Sequence, residues 1–190
     1  MKLDDRLQRA VDSLGAKLRD EIAKELSALD LAPARDETAI GRLADAMRAI
    51  DYGRSLSDIL ETLATAASNE SSRAGVFLLR GDSLRSFRLF GFPAVHEDVP
   101  IELPLSKAGV IADALQTRTV ATTEVGVFDQ LPPGVEAVAI ALVLAGSPIG
   151  ALYAEGADVP ALEILARFAS RALEALTAMK TARAVADGAV

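Results

Sequence analysis

The sequence contains neither cysteine nor tryptophan, and the two absences narrow both its chemistry and its core. Without cysteine the chain cannot form a disulfide, a thiolate metal site, a thiol nucleophile or a thioether-linked chromophore. Aromatic residues make up only 4% of the 190 residues, whereas 51% are hydrophobic. The core must therefore be built mainly from Ala, Leu, Val and Ile, and a chain of this length can bury such a core without disulfides.

An excess of positive charge and long apolar runs are also missing. The net charge is −7, with acidic residues spread along the chain, so we expect no direct nucleic-acid partner. The longest apolar run, residues 137–145, is far shorter than the roughly 20 residues that span a bilayer, so we expect no membrane partner. The charged start, MKLDDRLQRAVDSLG, lacks the apolar segment of a secretion signal. These features favour a cytoplasmic protein.

The stretch VEAVAIALVLAGSPIGALYAE, residues 135–155, defines most of the fold. Large side chains at the even positions from 138 to 144 alternate with Ala139, Ala141 and Val143. This two-residue period predicts a strand, and its two apolar faces predict a sheet that is covered on both sides. The small alanine face can admit a closely packed helix. Gly146 and Pro148 interrupt the run, after which residues 149–155 return as a second strand.

The rest of the chain alternates helical and extended patterns. Residues 74–80 and 83–90 predict another hairpin around Gly81-Asp82, and Ser55 with Asp58 predicts a capping box that opens a helix. An extended segment, a short helix after Ser106 and a short strand follow, and a helix of about 25 residues begins at Asp158. Its apolar residues are predicted to face inward, and they are Leu162, Leu165, Phe168, Ala172, Leu176 and Met179. The order predicts an α+β fold with a six-stranded, mostly antiparallel sheet. Long helices cover one face of this sheet, and the short helix with its flanking loops covers the other.

Residues 3–29 carry leucines, one valine and one isoleucine at steps of three and four, typical of an amphipathic helix. Its length favours contact with another chain, and the alternative is a helix folded back on its own domain. We therefore predict three parts: an N-terminal helix for dimerisation and signalling at 1–34, a domain at 35–180, and a C-terminal tail at 181–190.

The segment from Asp51 to Leu176 resembles a GAF domain, a sensory and regulatory fold found in phytochromes, cyclic-nucleotide phosphodiesterases and many bacterial regulators. The resemblance is carried by AGVFLLRGDSLRSFRLFGFP, by SKAGVIADALQTRTVATTE and most specifically by the hairpin at 135–155, with its Gly-x-x-Ile-Gly-x-Leu pattern. It implies a six-stranded antiparallel sheet, terminal helices that commonly mediate dimers on one face, and a ligand cavity on the other. The Asn-Lys…Phe…Asp-Glu signature of the cyclic-nucleotide-binding members is not found in this sequence. The lack of cysteine excludes covalent bilin attachment and the thiol chemistry of the methionine-sulfoxide-reducing members.

The cavity that the resemblance implies would have an apolar wall and a few polar contacts. The alternative is that the same side chains fill the space as core. The wall residues are Phe77, Leu79, Phe90, Phe92, Ile111, Leu115, Phe128 and Tyr153, and the polar candidates are Arg88, Ser106, Thr122 and Thr123.

Catalytic and metal sites are not predicted. His96 is the single histidine, in a loop beside Glu97 and Asp98, and is expected to be exposed to solvent. Arg73, Arg80 and Arg85 are interpreted as a solvated sheet edge, whereas Arg88 could pair with an anionic ligand.

We therefore predict a non-enzymatic, bacterial-type sensory or regulatory domain. It binds a small molecule and/or forms a homodimer, and it transmits a signal through its terminal helices to a protein output partner. The alternative is a ligand-free interaction module, and the sequence leaves any ligand or cofactor unidentified.

Overall fold

The computed structural model describes residues 38–92 and 100–188. The predicted N-terminal helix, residues 1–34, and His96 lie outside these ranges, so both predictions stay as they are. The chain divides into two compact units, Met1–Arg42 and Leu43–Val190, and the sheet described below belongs to the second unit.

Four α-helices and six strands make up the described residues. The helices are α1 (38–51), α2 (Leu56–Asn69), α3 (Val110–Thr117) and α4 (Val159–Gly188). The strands are β1 (Arg73–Arg80), β2 (Ser83–Phe90), β3 (Glu102–Pro104), β4 (Val120–Thr123), β5 (Ala137–Leu144) and β6 (Ser147–Glu155). A short 3-10 turn, Leu105–Lys107, precedes α3.

The six strands form one sheet in the order β3-β2-β1-β6-β5-β4. Each neighbouring pair is antiparallel. The two predicted hairpins, β1–β2 and β5–β6, meet where β1 pairs with β6, which places the most apolar strands at the centre of the sheet. The predicted α+β fold with a six-stranded antiparallel sheet is confirmed.

The two faces of the sheet carry separate cores. On the helix face, covered by α2 and α4, the core includes Val138, Ile140 and Leu142 of β5. On the loop face, covered by α3 and the β4–β5 loop (residues 124–136), Ala139 and Ala141 of the same strand lie in the other core. The small alanine side chains let α3 approach closely, as the alternation in β5 predicts.

The start of α2 is fixed by the predicted capping box. The Asp58 N–H donates to Ser55 Oγ at 3.0 Å, and the Arg54 N–H donates to Asp58 Oδ2 at 3.1 Å. These bonds satisfy backbone donors that a helix start leaves free. The pKa of the Asp58 carboxyl is lowered, most by its hydrogen bond with the Ser55 side chain and next by the hydrogen bond from the Arg54 N–H.

Helix α4 is longer than the strands that it covers. Its 30 residues span about 45 Å at 1.5 Å per residue. Strands of 8 or 9 residues, such as β5 and β6, span about 30 Å. Leu162, Leu165 and Leu173 are buried, but residues 177–187 are all exposed. The apolar pattern predicts that Met179 faces the core, and this prediction is wrong. Met179 is 64% exposed because α4 extends beyond the end of the sheet.

The region predicted as a C-terminal tail, 181–190, is helical as far as Gly188. Among the described residues, none of the helices combines the length and apolar character needed to cross a membrane.

Candidate functional site

Four aromatic side chains meet on the loop face, where a ligand cavity is predicted. The Phe128 ring lies at their centre, with its centroid 5.5 Å from that of Phe77, 5.4 Å from that of Phe92 and 5.5 Å from that of Tyr153. The contact with Phe77 is stacked, and the other two are edge-to-face. These are favourable ring geometries at van der Waals distance, so the rings fill the space between them.

Each ring reaches the cluster from a different part of the chain. Phe77 and Tyr153 stand on neighbouring strands, since Phe77 of β1 pairs with Ala151 of β6 and Gly75 pairs with Tyr153. Phe92 follows β2, and Phe128 comes from the β4–β5 loop. The sheet therefore fixes two rings, while the position of Phe128 depends on how the loop is held.

A polar network beside the rings holds the β4–β5 loop against the sheet. The Tyr153 hydroxyl donates to Glu155 Oε1 at 2.8 Å and accepts the Val127 N–H at 3.3 Å. Arg73 Nη1 lies 3.3 Å from both Glu155 Oε2 and Asp129 Oδ2. Two loop residues, Val127 and Asp129, are thus tied to β1 and β6, which leaves Phe128 between two anchors.

Glu155 and Tyr153 form the buried centre of this network, and its charged side chains are paired with one another. The Glu155 side chain is only 4% exposed, and its carboxylate accepts hydrogen bonds from both the Tyr153 hydroxyl and the Arg73 guanidinium. Burial raises the pKa of Tyr153 well above its usual value, and the hydrogen bond to Glu155 raises it further. Tyr153 therefore stays protonated and serves as a neutral donor. Arg73 also lies over the Phe92 ring, 5.7 Å from its centroid, which joins the network to the aromatic cluster.

Seven of the twelve predicted site residues belong to the loop-face core. They are Phe77, Leu79, Phe92, Ile111, Leu115, Phe128 and Tyr153. Three of the predicted polar contacts do not join it. Ser106 and Thr122 are exposed, and Thr123 is half-buried with its Oγ1 accepting the Val125 N–H at 3.1 Å.

The two remaining residues, Arg88 and Phe90, lie on the opposite face of the sheet from the one predicted. Phe90 packs against the helix-face core, and Arg88 pairs with Glu61 of α2 and lies over the Phe90 ring. The cause is a bulge in β2: Val76 pairs with Arg88 but Phe77 pairs with Ser86, which leaves Phe87 as an extra residue. An extra residue reverses the faces of the side chains that follow it, and alternation along the sequence does not reveal it.

Sequence reasoning missed the network of Arg73, Asp129 and Glu155. The sequence predicts that Arg73 belongs to a solvated sheet edge, but its side chain is only 31% exposed and pairs with Asp129 and Glu155. One signal was available. Glu155 stands two residues after Tyr153 in a strand that is otherwise apolar, so both side chains share a buried face, and a carboxylate there needs a cation.

The arrangement is suited to binding and packing. Its ionisable side chains are committed to one another, and burial keeps the Tyr153 hydroxyl protonated, so that this hydroxyl is a hydrogen-bond donor and not an activated nucleophile. In the two described ranges no group of His, Asp and Glu residues could hold a metal ion.

Solved structures with the same architecture are known. A fragment of a methyl-accepting chemotaxis protein, residues 122 to 287, superimposes with a TM-score of 0.59 and 18% identity, covering 71% of this chain and 98% of the fragment. The GAF domain of a phosphoenolpyruvate-protein phosphotransferase from Acinetobacter matches with a TM-score of 0.57 and 16% identity, covering 75% of this chain and 94% of that one. The domain has a GAF-like fold. The GAF domain/HD domain protein from Geobacter sulfurreducens also matches this GAF-like domain, with a TM-score of 0.51, 17% identity and coverage of 67% and 95%.

No family model matches the sequence, and a search of the curated proteins gives no match. The likeness therefore lies in the fold: the same sheet and helices are built from a very different sequence.

Proposed function

We propose that this GAF-like domain is a non-enzymatic regulatory module that dimerises through the projecting half of α4, residues 175–187. The observation that carries the proposal is the apolar stripe on the exposed part of that helix. Ala175, Ala178, Ala182 and Val185 follow one another at steps of three, four and three residues, the spacing of a coiled-coil seam. All four are exposed in the single chain.

The stripe has the composition of a helix-pairing surface. Met179 and Ala186 widen it on one side, and Met179 and Val185 are 64% and 66% exposed. Lys180, Arg183 and Asp187 lie on the opposite side of the helix. An amphipathic surface helix normally buries its apolar side, and the part of the chain that the structure describes does not cover this one.

A second copy is the partner that fits this surface. An apolar groove of about 690 Å³ runs beside the stripe, between the projecting helix and the β5–β6 turn at Leu144 and Ala145. Ala178 and Ala182 line it, and their small side chains allow another helix to approach closely. The same stripe on a second chain offers a self-complementary surface, as a two-fold dimer requires. The predicted helix at 1–34 would add to this pairing, and that remains a prediction.

The packing of the loop face favours this module over a small-molecule sensor. The rings of Phe77, Phe92, Phe128 and Tyr153 contact one another where a ligand would lie. A ligand that entered there would first displace Phe128. A small-molecule sensor is the second candidate, because Phe128 is half-buried and lines an outer groove of about 470 Å³ formed by residues 124–131.

The proposal is tested by measuring mass in solution by light scattering. Ala178→Glu and Ala182→Glu place a carboxylate on the stripe and should convert a dimer to a monomer, because burying an unpaired charge is costly. Ala184→Glu makes the same change on the polar side of the same helix and should leave the dimer intact. Loss of the dimer in all three variants would show that added charge, rather than the stripe, is responsible.

The second candidate is tested by native mass spectrometry of the purified protein, repeated after denaturation. A bound small mass that is retained in the parent chain and lost in Leu115→Trp would support a sensor. A clean protein would leave the dimerisation module as the better description.

A further inference from the structure

A third groove lies at the β4 edge of the sheet, between β4, β5 and α4. It has a volume of about 540 Å³, within the usual size of small-molecule sites. Its lining includes Val120 and Ile140, which contribute to the helix-face core, and Val143, which is half-buried. The floor of the groove is therefore apolar. It shares no residue with the aromatic cluster on the loop face.

Three arginines line this groove from two sides. Arg118 comes from the end of α3, and Arg167 and Arg171 come from successive turns of α4. Residues 100–188 contain six Lys and Arg residues, so half of them converge on this one groove. A single carboxylate, that of Glu174, lines it with them. In a chain with a net charge of −7, such a concentration of positive charge favours an anion.

Two polar side chains of the groove, Ser170 and Glu174, are already engaged in holding β5. Strand β4 pairs with residues 137–140 only, and two N–H groups beyond that point are bonded to α4. Val143 donates to Ser170 Oγ at 3.2 Å, and Ala145 donates to Glu174 Oε1 at 3.1 Å. These two donors are consequently not free to pair with an added strand, and the guanidinium groups are the charged donors that the groove offers to a ligand.

The three arginines are accessible to a ligand. Arg118 makes no ion pair with any residue in the described ranges, and its backbone sits at φ 59°, in the left-handed region. Arg167 pairs with Glu163 and Arg171 pairs with Glu174, but the arginine side chains are 72% and 82% exposed. Ion pairs at that exposure are weak, so an anion that reaches two guanidiniums at once can compete with them.

We propose that this groove binds a small organic anion, in which a carboxylate or phosphate group is attached to an apolar body. The charged group lies between Arg118 and the two arginines of α4, and the apolar part lies on Val120, Ile140 and Val143. Such a ligand bridges α3 and α4, so it acts directly on the helix whose end carries the apolar stripe. The site does not depend on the loop face being open, nor on the dimer.

The test is an NMR titration of the full chain with phenyl phosphate and, separately, with phenylacetate. We expect saturable shifts in the amides of Val143, Gly146 and Thr119 with at least one of these probes. Benzyl alcohol supplies the ring without the charge, and inorganic phosphate supplies the charge without the ring. Both controls should bind more weakly. The better of the two anions identifies the class of acidic group.

Arginine variants test which side chains contribute to the affinity for the anion. Arg118→Gln and Arg171→Gln should each raise the dissociation constant about tenfold, because each variant removes one charge-assisted hydrogen bond. Arg80→Gln, at the exposed β1–β2 turn, removes the same charge and should change nothing. Circular dichroism checks that each variant is folded.

The proposal is overturned if no saturable shift occurs in the millimolar range. It is also overturned if inorganic phosphate or benzyl alcohol binds as tightly as the aromatic anion. Equal weakening by Arg80→Gln would show a general charge effect and would contradict the site in the same way.

Discussion

The buried hydroxyl of Tyr153 gives a prediction whose size follows from the structure. Tyr153→Phe removes a bond to Glu155 and leaves the Val127 N–H without its acceptor. Loss of a partner for a buried polar group costs about 1–3 kcal/mol, so we expect the free energy of unfolding at neutral pH to fall by that amount.

The cost of this substitution should shrink at high pH. Because burial raises the pKa of Tyr153 in the folded state, the unfolded chain loses the tyrosine proton first, above about pH 10. The unfolded state then binds fewer protons than the folded state, so stability falls as pH rises. The loss reaches about 1.4 kcal/mol at about pH 11, and the Tyr153→Phe variant, whose phenylalanine ring has no proton to lose, escapes it.

The measurement is urea unfolding followed by far-ultraviolet circular dichroism, because the chain has no tryptophan. The stability gap between the parent and Tyr153→Phe should narrow by about 1.4 kcal/mol between neutral pH and about pH 11. Tyr52→Phe is the matched control, since the Tyr52 side chain is 80% exposed, and its gap to the parent should stay constant. A gap for Tyr153→Phe that stays constant or widens would refute the reasoning.

Three further substitutions test the packing. Phe128→Ala removes three ring contacts and should lower the free energy of unfolding by about 2–4 kcal/mol in urea, and a loss below about 1 kcal/mol would show that the β4–β5 loop is not held by its ring. Gly150→Ala places a Cβ 2.2 Å from the backbone oxygen of Phe77, so it should destabilise the β1–β6 pairing by more than about 1 kcal/mol, measured in the same way. Gly41→Ala meets nothing within 4 Å in a helix and should raise stability by about 0.5–1 kcal/mol, so a decrease would contradict the helical placement of residue 41.

The sequence was sufficient to predict the sheet because each strand can be identified from residues that are close together in the chain. The alternation around Ala139 and Ala141 identifies a strand with two apolar faces, and Gly81 and Gly146 mark the two tight turns. The capping box at Ser55 is equally local, since both of its bonds lie within five residues. These features need only the chain near them, so the element order could be predicted without any knowledge of tertiary structure.

The site was less predictable because its arrangement depends on distant partners. The bulge at Phe87 moves Phe90 and Arg88 to the helix face, and only the pairing with β1 reveals it. Arg73 lies 56 residues from Asp129 along the chain, so no local pattern joins them. Periodicity also identifies burial without showing which side chains meet, and only the fold brings the Phe128 ring centroid to 5.5 Å from those of Phe77 and Tyr153.

In helix α4 the apolar pattern predicts burial for residues that are exposed in the single chain. Its periodic pattern continues past the end of the sheet, so Met179 fits the helical pattern of Leu162 and Leu165 although it is exposed. A pattern of apolar residues indicates that a surface is covered, but it does not say by what. For residues 175–186 we infer that a second chain supplies the cover.

Dimerisation through α4 is tested by the mass of the purified chain in solution, determined by light scattering at micromolar concentration. We expect a dimer for the parent and for Ala184→Glu, and a monomer for Ala182→Glu. A parent chain that is already monomeric at that concentration would contradict this expectation.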